Sequence, residues 1–418
     1  MTDSPADRPA GPLAGVRIVD LTTVILGTFA TQILGDLGAD VIKIETPGGP
    51  AVGGDIMRWG GRSPSGPESG MGPLFMTYNR NKRSVTLDLK SAGGQRAARR
   101  LIEGADVLAS NVRMEAMRRM TLAYDDVAAV RPDIVYVHAV GFGSDGPYGG
   151  LPAYDELVQA AGGGADLLPR TDGNPAPRYF PALVGDKTVG LYMVYATLAG
   201  LYQRAQTGRG QFIEVPMLEC YTHYTMTENL YGHVFEPPTG DFGYGRILNP
   251  DRRPYRTSDG YIGIAPYSDR HWRDFFALGN RLADFDTDPR FNTYAARIAN
   301  IKALYAMVES ITVLKTTAEW LHLLRKRSIP AMPVNRLDQV MDDEHLKAVG
   351  MFAPATHPSE GAYVDIRHPV SFSEAATPTR HHPPRLGENT AEILREAGFD
   401  DEEIAELGRE GAFGTASE

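Results

Sequence analysis

The sequence predicts an α/β protein with a large Rossmann-like domain built on a parallel sheet and a smaller α+β domain. Its 418 residues are enough for about two or three domains of ordinary size. Short β-branched runs alternate with helical stretches from residue 16 to residue 140, an order typical of parallel strands joined by right-handed crossovers. This alternation stops after the turn-forming run TGRG at residues 207–210. The sheet is therefore expected early in the chain and a second domain in its middle.

The elements of the first part follow from the spacing of apolar residues. Residues 16–21 form a β-branched run that predicts a buried strand. A helix over residues 28–38 follows, with Gly38 as a plausible stop. The same reasoning predicts strands at 40–45, 84–89, 106–110 and 133–140 and helices at 93–103 and 124–130. The first twelve residues, rich in Pro, Asp and Ser, are expected to form a flexible tail.

The rest of the chain has a different pattern. Its predicted elements are a helix over residues 217–233, a Gly/Pro/Asp-rich segment over 237–250, a strand over 261–265 and helices over 270–282 and 298–326. Two helices close the chain. The second has Asp400 as N-cap and Glu403 three residues on, which predicts a capping box, with Gly408 near its end.

Composition excludes several classes of protein. With 42 Lys+Arg against 52 Asp+Glu the chain carries a net charge of −10, whereas a nucleic-acid binder is normally basic. The longest uncharged apolar run has 14 residues, 189–202, which predicts a buried helix because it is too short to span a bilayer. The single cysteine, Cys220, cannot form an internal disulfide framework or a Cys-based zinc site. The polar, acidic N-terminus lacks signal-peptide character, so a cytoplasmic enzyme is expected, with no nucleic-acid or membrane partner.

One motif suggests cofactor chemistry that its context does not support. Residues 141–146, GFGSDG, match G-x-G-x-x-G after a predicted strand, but a dinucleotide site needs a helix next. Pro147, Tyr148 and two further glycines follow instead, so we expect a loop and no nicotinamide or flavin. The ten histidines include no metal-binding helix motif, and no metal is expected.

Basic residues are concentrated between residues 80 and 119. Ten basic residues there stand against four acidic ones, a local charge of +6 in a chain of −10. Solvated helix faces and a site for a polyanionic ligand, with Arg and Lys paired to phosphates, are about equally favoured by composition. The ten residues are Arg80, Lys82, Arg83, Lys90, Arg96, Arg99, Arg100, Arg113, Arg118 and Arg119.

Three aspartates, Asp155, Asp172 and Asp186, lie in turn-rich contexts. An aspartate next to glycine is more often a turn residue than a catalytic one. Spacing alone therefore selects none of the three as a catalytic group.

Several segments in a fixed order along the chain form one recognisable pattern: residues 15–22, 30–45, 79–90, 141–143 with 146–148, 207–211, 329–334 and 386–390. Together they closely resemble the family III CoA-transferases, the CaiB/BaiF family. The resemblance covers nearly the whole chain and implies an activity, a fold and a set of site residues.

The resemblance implies an interlocked homodimer, in which each ring-shaped subunit is threaded by the other. The large domain of such proteins is built from both chain ends and the small domain from the middle. The folded monomer is then not expected to be stable alone, because interlocking buries more surface than an ordinary dimer contact. The expected segments are a tail at 1–12, the large domain at 13–215, a linker helix and loop at 216–250, the small domain at 251–328 and the return to the large domain at 329–418.

The activity implied by the resemblance is transfer of CoA from an acyl-CoA to a free carboxylic acid, through an aspartyl-CoA thioester. The catalytic aspartate of the family lies in a T-G-x-x-D-G-x-P context after glycines. Here GGG at residues 162–164 precedes RTDGNP at 170–175, so Asp172 is the matching residue. An ionised carboxylate on a loop, partly stripped of water, is a usable nucleophile toward a thioester.

The CoA contacts implied by the resemblance lie at the carboxyl ends of the predicted strands, as expected for a parallel sheet. Basic side chains are expected to meet phosphates and apolar ones to flank the adenine. The implied residues are Val24, Ile25, Leu26, Leu87, Lys90, Asn111, Val112, Arg113, Arg119, Met120, Val140, Gly141, Phe142 and Gly143.

Some positions depart from the formate/oxalate-type members of the family. Those members have a glutamine at the position of Ile25, a basic residue at Thr46, a lysine at Val140 and glycines where residues 246–250 read RILNP. These differences count against oxalate or formate as the acid.

Two alternative functions stay open. The α-methylacyl-CoA racemases share the fold and shift a proton with a histidine and an aspartate, which align with Tyr154 and Asp186. A tyrosine, with its usual pKa of about 10, is a poor base for that step. A protein that binds CoA esters without turnover is the other alternative, and it would have no use for Asp172.

Overall fold

The computed structural model describes residues 11–50 and 52–414, which divide into two compact units. The first unit holds the chain up to Gly164, Tyr179–Thr225 and the chain from Ala348 onward. The second holds Ala165–Arg178 and Met226–Lys347. The second unit is thus wider than the small domain expected at 251–328. It also takes in most of the expected linker, residues 329–347 of the expected return to the large domain, and a short segment before Tyr179. Of the predicted tail, all but Gly11 and Pro12 lies outside the described residues.

The strands and helices of the described residues are numbered in chain order. The strands are β1 (Arg17–Leu21), β2 (Asp40–Glu45), β3 (Lys82–Thr86), β4 (Val107–Ser110), β5 (Val135–Val140), β6 (Gln211–Pro216), β7 (Tyr255–Arg256), β8 (Tyr261–Ile264), β9 (Ala331–Pro333), β10 (Phe352–His357) and β11 (Gly361–Ile366). The helices are α1 (Leu26–Asp36), α2 (Pro73–Tyr78), α3 (Ala92–Glu103), α4 (Met114–Arg119), α5 (Tyr124–Val130), α6 (Asp155–Ala161), α7 (Pro169–Asp172), α8 (Val184–Thr207), α9 (Met217–Asn229), α10 (Asp269–Leu278), α11 (Leu282–Thr287), α12 (Tyr294–Ala299), α13 (Ile301–Thr312), α14 (Thr317–Lys326), α15 (Glu344–Ala348), α16 (Thr390–Glu396) and α17 (Asp401–Arg409).

A six-stranded parallel sheet forms the centre of the first unit, in the order β3-β2-β1-β4-β5-β6. The predicted alternation of strand and helix is confirmed over this part. The strand predicted at 84–89 ends earlier, since β3 runs from Lys82 to Thr86. The edge strand β6 was not predicted. Its central residues, FIEV, are half-exposed and follow directly on the TGRG turn, where the alternation of strand and helix was expected to stop.

Alternation along the strands places apolar side chains on both faces of the sheet. On β5, Val135 and Val137 pack with α1 and α8, while Tyr136 lies in the other core with α3, α16 and α17. A parallel sheet covered on both faces needs such continuously apolar strands. The carboxyl ends of the strands are left as the accessible edge.

Helix α8 contains the 14-residue apolar run and extends it to 24 residues. Only one face is buried, with Val189 and Met193 in the core. The opposite face exposes Leu191, Tyr195 and Tyr202, at 54%, 56% and 70%. The prediction of a buried helix is therefore confirmed for one face and wrong for the other. None of the described helices combines the length and apolar character needed to cross a lipid bilayer.

The second unit has its own core around a small antiparallel sheet, in the order β7-β8-β9. Phe275, Phe276, Val308 and Trp320 are fully buried in it. The strand predicted at 261–265 and the two long helical stretches appear here, each stretch divided into shorter helices. The unit is therefore α+β.

The C-terminal segment, from Ala348 onward, belongs to the first unit. The hairpin β10–β11 was not predicted, whereas the capping box of α17 is confirmed: Asp400 accepts from the Glu403 amide and Glu403 from the Asp400 amide, both at 2.8 Å. Near the start of α16, Thr390 Oγ1 accepts from the Thr86 amide of β3. This segment therefore fixes the edge of the sheet near the ends of β2 and β3.

A buried ionic cluster lies among β1, β2, β3 and the segment after β2. It contains three acids and three bases, each at most 4% exposed: Asp20, Lys43, Glu45, Asp55, Arg58 and Lys82. Lys82 Nζ lies 3.2 Å from Asp20 and Lys43 Nζ 3.3 Å from Asp55. The Arg58 guanidinium donates to both carboxylate oxygens of Glu45. Burial alone would raise the pKa of the Glu45 carboxyl, but this ion pair outweighs burial and lowers the pKa to about 2. Because the charges balance, the cluster is neutral as a whole.

Candidate active site

The sheet has its topological switch point between β1 and β4, where neighbouring strands connect to opposite sides. In such sheets, ligands bind in the crevice outside the carboxyl ends of the strands at this point. Here the loops after the two strands are tied together by Asn111. Its Oδ1 accepts from the Thr23 amide and its Nδ2 donates to the Thr23 carbonyl, both at 2.9 Å.

A cavity of about 210 Å³ opens at this point, which we call the switch-point cavity. It brings together six of the predicted CoA-binding residues and adds Asp186 and Tyr154. Its lining residues are Thr23, Val24, Ile25, Leu26, Asn111, Ala139, Val140, Gly141, Pro152, Ala153, Tyr154, Asp186 and Met217.

A larger cavity of about 650 Å³, the β5 cavity, shares the wall formed by Asn111 and Ala139–Gly141. It adds Val112, Arg113 and Phe142 of the predicted set. Its other lining residues include Tyr124, His138, Phe212 and Glu214. The two cavities together thus contain nine of the fourteen predicted CoA-binding residues.

The other five predicted residues do not line these cavities. Leu87 is buried in the core at 1% exposure and offers no surface to a ligand. Lys90 and Arg119 are exposed, and Arg119 pairs with Glu115 at 3.3 Å. Met120 packs against the core, and Gly143 lies in the loop after β5.

The G-x-G-x-x-G run forms a loop, as predicted, and no helix follows it directly. Its amides are already occupied: Gly143 N donates to Glu219 at 2.8 Å and Ser144 N to Glu214 at 2.9 Å. A loop whose amides face carboxylates does not present them to a phosphate. Gly141 has a packing role, because a Cβ there would lie 2.5 Å from Cβ of Ala153.

The basic segment of residues 80–119 divides into two groups. Arg80, Lys82 and Arg83 are buried in ion pairs with Asp36, Asp20 and Asp40. These three side chains hold the fold together and are not available to a ligand. The others are exposed, and among them Arg113 lines the β5 cavity. Neither interpretation of this segment applies to the buried group, and both stay open for the exposed residues.

Val24, at the mouth of the switch-point cavity, has a left-handed backbone with φ of 68°. This region is strained for a β-branched residue. Its amide donates to both oxygens of buried Asp55, at 3.2 and 3.1 Å, and Asp55 belongs to the ionic cluster. The cluster therefore holds the loop after β1 in the conformation that shapes the cavity.

Asp186 lies in the first turn of α8 and lines the switch-point cavity. Burial, together with the nearby carboxylates Asp155 and Glu156, raises its pKa to about 7. Asp155 is itself 4% exposed and accepts from the Asp186 amide at 3.0 Å. Local sequence did not select Asp186 as the nucleophile, because the groups around this side chain come from three distant segments of the chain.

Asp172, the aspartate predicted to be catalytic, lies in the second unit at the end of the short helix α7. Arg178 donates to both its oxygens at 2.7 Å, and this pairing lowers the pKa of the Asp172 carboxyl. The side chain is 46% exposed. Gly173 follows in the left-handed conformation. These are the properties of a turn aspartate held in an ion pair, and neither described cavity of the first unit includes it.

His138 is a buried polar group that sequence reasoning missed. It lines the β5 cavity at 1% exposure, and neither ring nitrogen makes a hydrogen bond of ordinary geometry. Burial lowers its pKa to about 4, so the ring is neutral at physiological pH. Among the described residues, no group of three or more His, Cys, Asp or Glu side chains could hold a metal ion.

Comparison with known proteins assigns the chain to a family. The sequence profile of CoA-transferase family III matches residues 13–390. The chain is a member of CoA-transferase family III. The resemblance recognised in the sequence is therefore confirmed, and the protein is an enzyme of the CoA-transferase type. Proteins of this type act on an acyl-CoA and a carboxylic acid.

Relatives of this family III CoA-transferase match it over almost its whole length. The succinate–glutarate CoA-transferase of Agrobacterium fabrum is 30% identical, covering 95% of this chain and 98% of the relative. A formyl-CoA:oxalate CoA-transferase of Rhodopseudomonas palustris is 31% identical over 96% and 97%. The crystal structure of a CaiB/BaiF family protein from Brucella suis superimposes with a TM-score of 0.77 at 30% identity, covering 93% of this chain and all of that one.

Replacing Asn111 with Ala is expected to weaken CoA binding. Without the amide side chain, the two reciprocal hydrogen bonds to Thr23 are lost, and the loops after β1 and β4 can separate. We expect the dissociation constant for CoA to rise about tenfold, measured by calorimetry. Asn292→Ala, at an exposed asparagine of the second unit, is the control. An unchanged affinity in Asn111→Ala would show that CoA does not depend on this crevice.

Proposed function

We propose that this family III CoA-transferase moves CoA from an acyl-CoA to a free carboxylic acid through an aspartyl-CoA thioester formed on Asp186. The observation that carries the proposal is the position of Asp186 in the switch-point cavity with Val24, Asn111 and Gly141. Its pKa of about 7 supports the assignment, because a more basic carboxylate is a better nucleophile while still substantially ionised at neutral pH. Asp172 remains the alternative from the sequence, although its ion pair with Arg178 makes it a weaker nucleophile.

The proposed reaction is balanced without any further reactant. The Asp186 carboxylate attacks the thioester carbonyl and forms a new C–O bond. The C–S bond then breaks, which releases CoA as thiolate and leaves a mixed anhydride between Asp186 and the donor acid. The thiolate then attacks the aspartyl carbonyl and releases the donor acid as its carboxylate. The acceptor carboxylate attacks the resulting aspartyl thioester, and a second return of the thiolate gives the new acyl-CoA and free Asp186. Each step exchanges one acyl bond for another, so no net proton or electron is needed.

CoA itself is proposed to lie along the carboxyl edge of the sheet. Arg113 lines the β5 cavity, and Lys90 and Arg119 are exposed, so these three cations are free of the buried ionic cluster and suit phosphate groups. The acids are proposed to be small carboxylic acids. The relatives include both succinate–glutarate and formyl-CoA:oxalate CoA-transferases. Ile25 and Val140 in the cavity wall count against formate and oxalate, so we favour succinate and glutarate.

A mass measurement tests the proposed intermediate. The protein is mixed with succinyl-CoA or acetyl-CoA without an acceptor acid, quenched and digested. We expect a CoA adduct on the peptide that contains Asp186. An adduct on the Asp172 peptide would reassign the nucleophile, and no adduct with any donor that is turned over would reject the covalent mechanism.

Transfer activity is expected to rise with pH through about 7. The raised pKa means that Asp186 is mostly protonated below this value and gains its nucleophilic charge as the proton leaves. The measurement is kcat/KM for the acyl-CoA between pH 5.5 and 8.5, with about a tenfold gain per pH unit on the acid limb. A flat profile across this range would contradict the role of Asp186 as the attacking carboxylate.

Racemase chemistry is the second candidate, because Tyr154 and Asp186 line the same cavity. It predicts exchange of the α-proton of a 2-methylacyl-CoA with solvent deuterium in the absence of an acceptor acid. Transfer without exchange supports the CoA-transferase. A protein that only binds CoA esters would show neither reaction.

We propose that the enzyme is a homodimer of interlocked subunits. The exposed face of α8, with Leu191, Tyr195 and Tyr202, supports this, because contiguous exposed apolar residues are typical of subunit interfaces. Sedimentation at micromolar concentration is expected to give twice the monomer mass. Tyr195→Glu should lower the dimer fraction, whereas Tyr261→Glu, an equally exposed tyrosine of the second unit, should not. A wild-type protein that sediments as a monomer would contradict the proposal.

A further inference from the structure

The second unit contains its own cavity of about 480 Å³, next to the sheet β7-β8-β9. The volume lies within the range of small-molecule sites. Three arginines, Arg246, Arg252 and Arg253, line it. No acidic side chain is among its lining residues. The cavity therefore combines a positive lining with a defined volume.

Two of the three arginines carry charges that the protein does not neutralise. Arg253 pairs with Glu309 at 2.8 Å. Within residues 11–50 and 52–414, Arg246 and Arg252 make no ion pair. Arg246 is half-buried, Tyr305 lines the same cavity, and the centroid of the Tyr267 ring lies 5.8 Å from the guanidinium carbon of Arg246. A half-buried guanidinium without an acidic partner keeps its full charge and its affinity for an anion.

The remaining walls of the cavity are apolar. Trp272 and Tyr255 are 9% and 6% exposed and give it an aromatic wall. Ile264, Val308 and Met332 add aliphatic surface. Such walls favour a ligand with an apolar body, since burying that body releases water from both surfaces.

We propose that this cavity binds an organic acid, whose carboxylate pairs with Arg246 and Arg252 and whose apolar body lies against Trp272. Charge-assisted hydrogen bonds from two arginines fix the carboxylate. Inorganic phosphate has the negative charge but no apolar body. Acetate has the carboxylate but only a methyl group as its apolar body. The proposal concerns binding in the second unit and does not rest on the transfer mechanism.

Calorimetry on the full chain tests this site with phenylacetate as the probe, beside acetate and inorganic phosphate. We expect phenylacetate to bind in the millimolar range or tighter, and both small anions to bind at least about tenfold more weakly. Arg252→Gln and Arg246→Gln should each weaken phenylacetate binding about tenfold. Arg325→Gln, which removes an exposed arginine of the same unit outside the cavity, should leave it unchanged.

A second variant separates the cavity from general folding effects. Ala265 lines the cavity and is exposed, so Ala265→Phe should block it without altering any charge. We expect loss of phenylacetate binding with an unchanged melting temperature. Phenylacetate binding that survives in Ala265→Phe and in both arginine variants would overturn the proposal, as would absence of binding to the wild type or equal affinity for phosphate. Loss of CoA transfer activity has no bearing on these outcomes.

Discussion

Asp186→Asn is expected to lower the rate of CoA transfer by at least about a thousandfold while leaving the affinity for CoA nearly unchanged. The amide has almost the same shape as the carboxylate and can occupy the first turn of α8 in the same way. It cannot attack a thioester, because its nitrogen and oxygen lack the basic lone pair of an ionised carboxylate. The measurement is single-turnover transfer from acyl-CoA to an acid, with CoA binding measured in parallel.

Asp172→Asn is the matched control for this experiment. It makes the same chemical change at an aspartate that is exposed and paired with Arg178. We expect its kcat and KM to stay close to those of the wild type, as for most surface substitutions. A reversed result, with Asp172→Asn inactive and Asp186→Asn active, would restore the assignment made from the sequence.

The sequence and the structure favour different aspartates as the nucleophile, for reasons of different kinds. Asp172 was selected because its local motif, an aspartate before glycine and proline, matched a family pattern. The distinguishing property of Asp186 is its environment. That environment is built from the loop after β1, the loop after β5, Asp155 of α6 and the start of α8, segments that no local motif connects.

Much of the fold could be predicted because its signals are local. The β-branched runs of β1, β2, β4 and β5 and the capping box of α17 are determined by residues within a few positions of one another. The hairpin β10–β11 and the edge strand β6 were missed since their strands are half-exposed and lack a continuous apolar run. Domain boundaries were also displaced, because they depend on which distant segments pack together.

The buried ionic cluster was not predicted, because its basic residues have the sequence pattern of exposed ones. Lys82 belongs to a dense basic segment, and such segments are normally solvated or bind anions. In the structure it is 1% exposed beside Asp20, and burial lowers its pKa to about 8. A charged residue inside a protein is recognised only when its partner is known, and here the partner lies on a different strand.

Asp55→Asn is expected to destabilise the protein by about 3–5 kcal/mol and to weaken CoA binding. The substitution removes one of three negative charges from a neutral cluster and leaves Lys43 without its nearest counterion, 3.3 Å away. In the wild type, the Val24 amide donates to both carboxylate oxygens of Asp55, and these bonds hold Val24 in its left-handed conformation. Asn at position 55 would leave only one carbonyl oxygen to accept from this amide. Chemical unfolding and CoA calorimetry measure the two effects, and Asp241→Asn, at an exposed aspartate, controls for the change of charge.

A second substitution decides whether charge balance is the cause. Lys43→Met in the Asp55→Asn background removes the unpaired cation with a side chain of similar length, so the cluster is neutral again. Because an unpaired buried charge costs more than the loss of a whole pair, the double variant is expected to recover at least about 1 kcal/mol over Asp55→Asn. CoA binding should stay weak, since Lys43→Met does not restore the second acceptor for the Val24 amide. A double variant that is less stable than Asp55→Asn would mean that packing around Lys43, rather than its charge, stabilises the loop after β1.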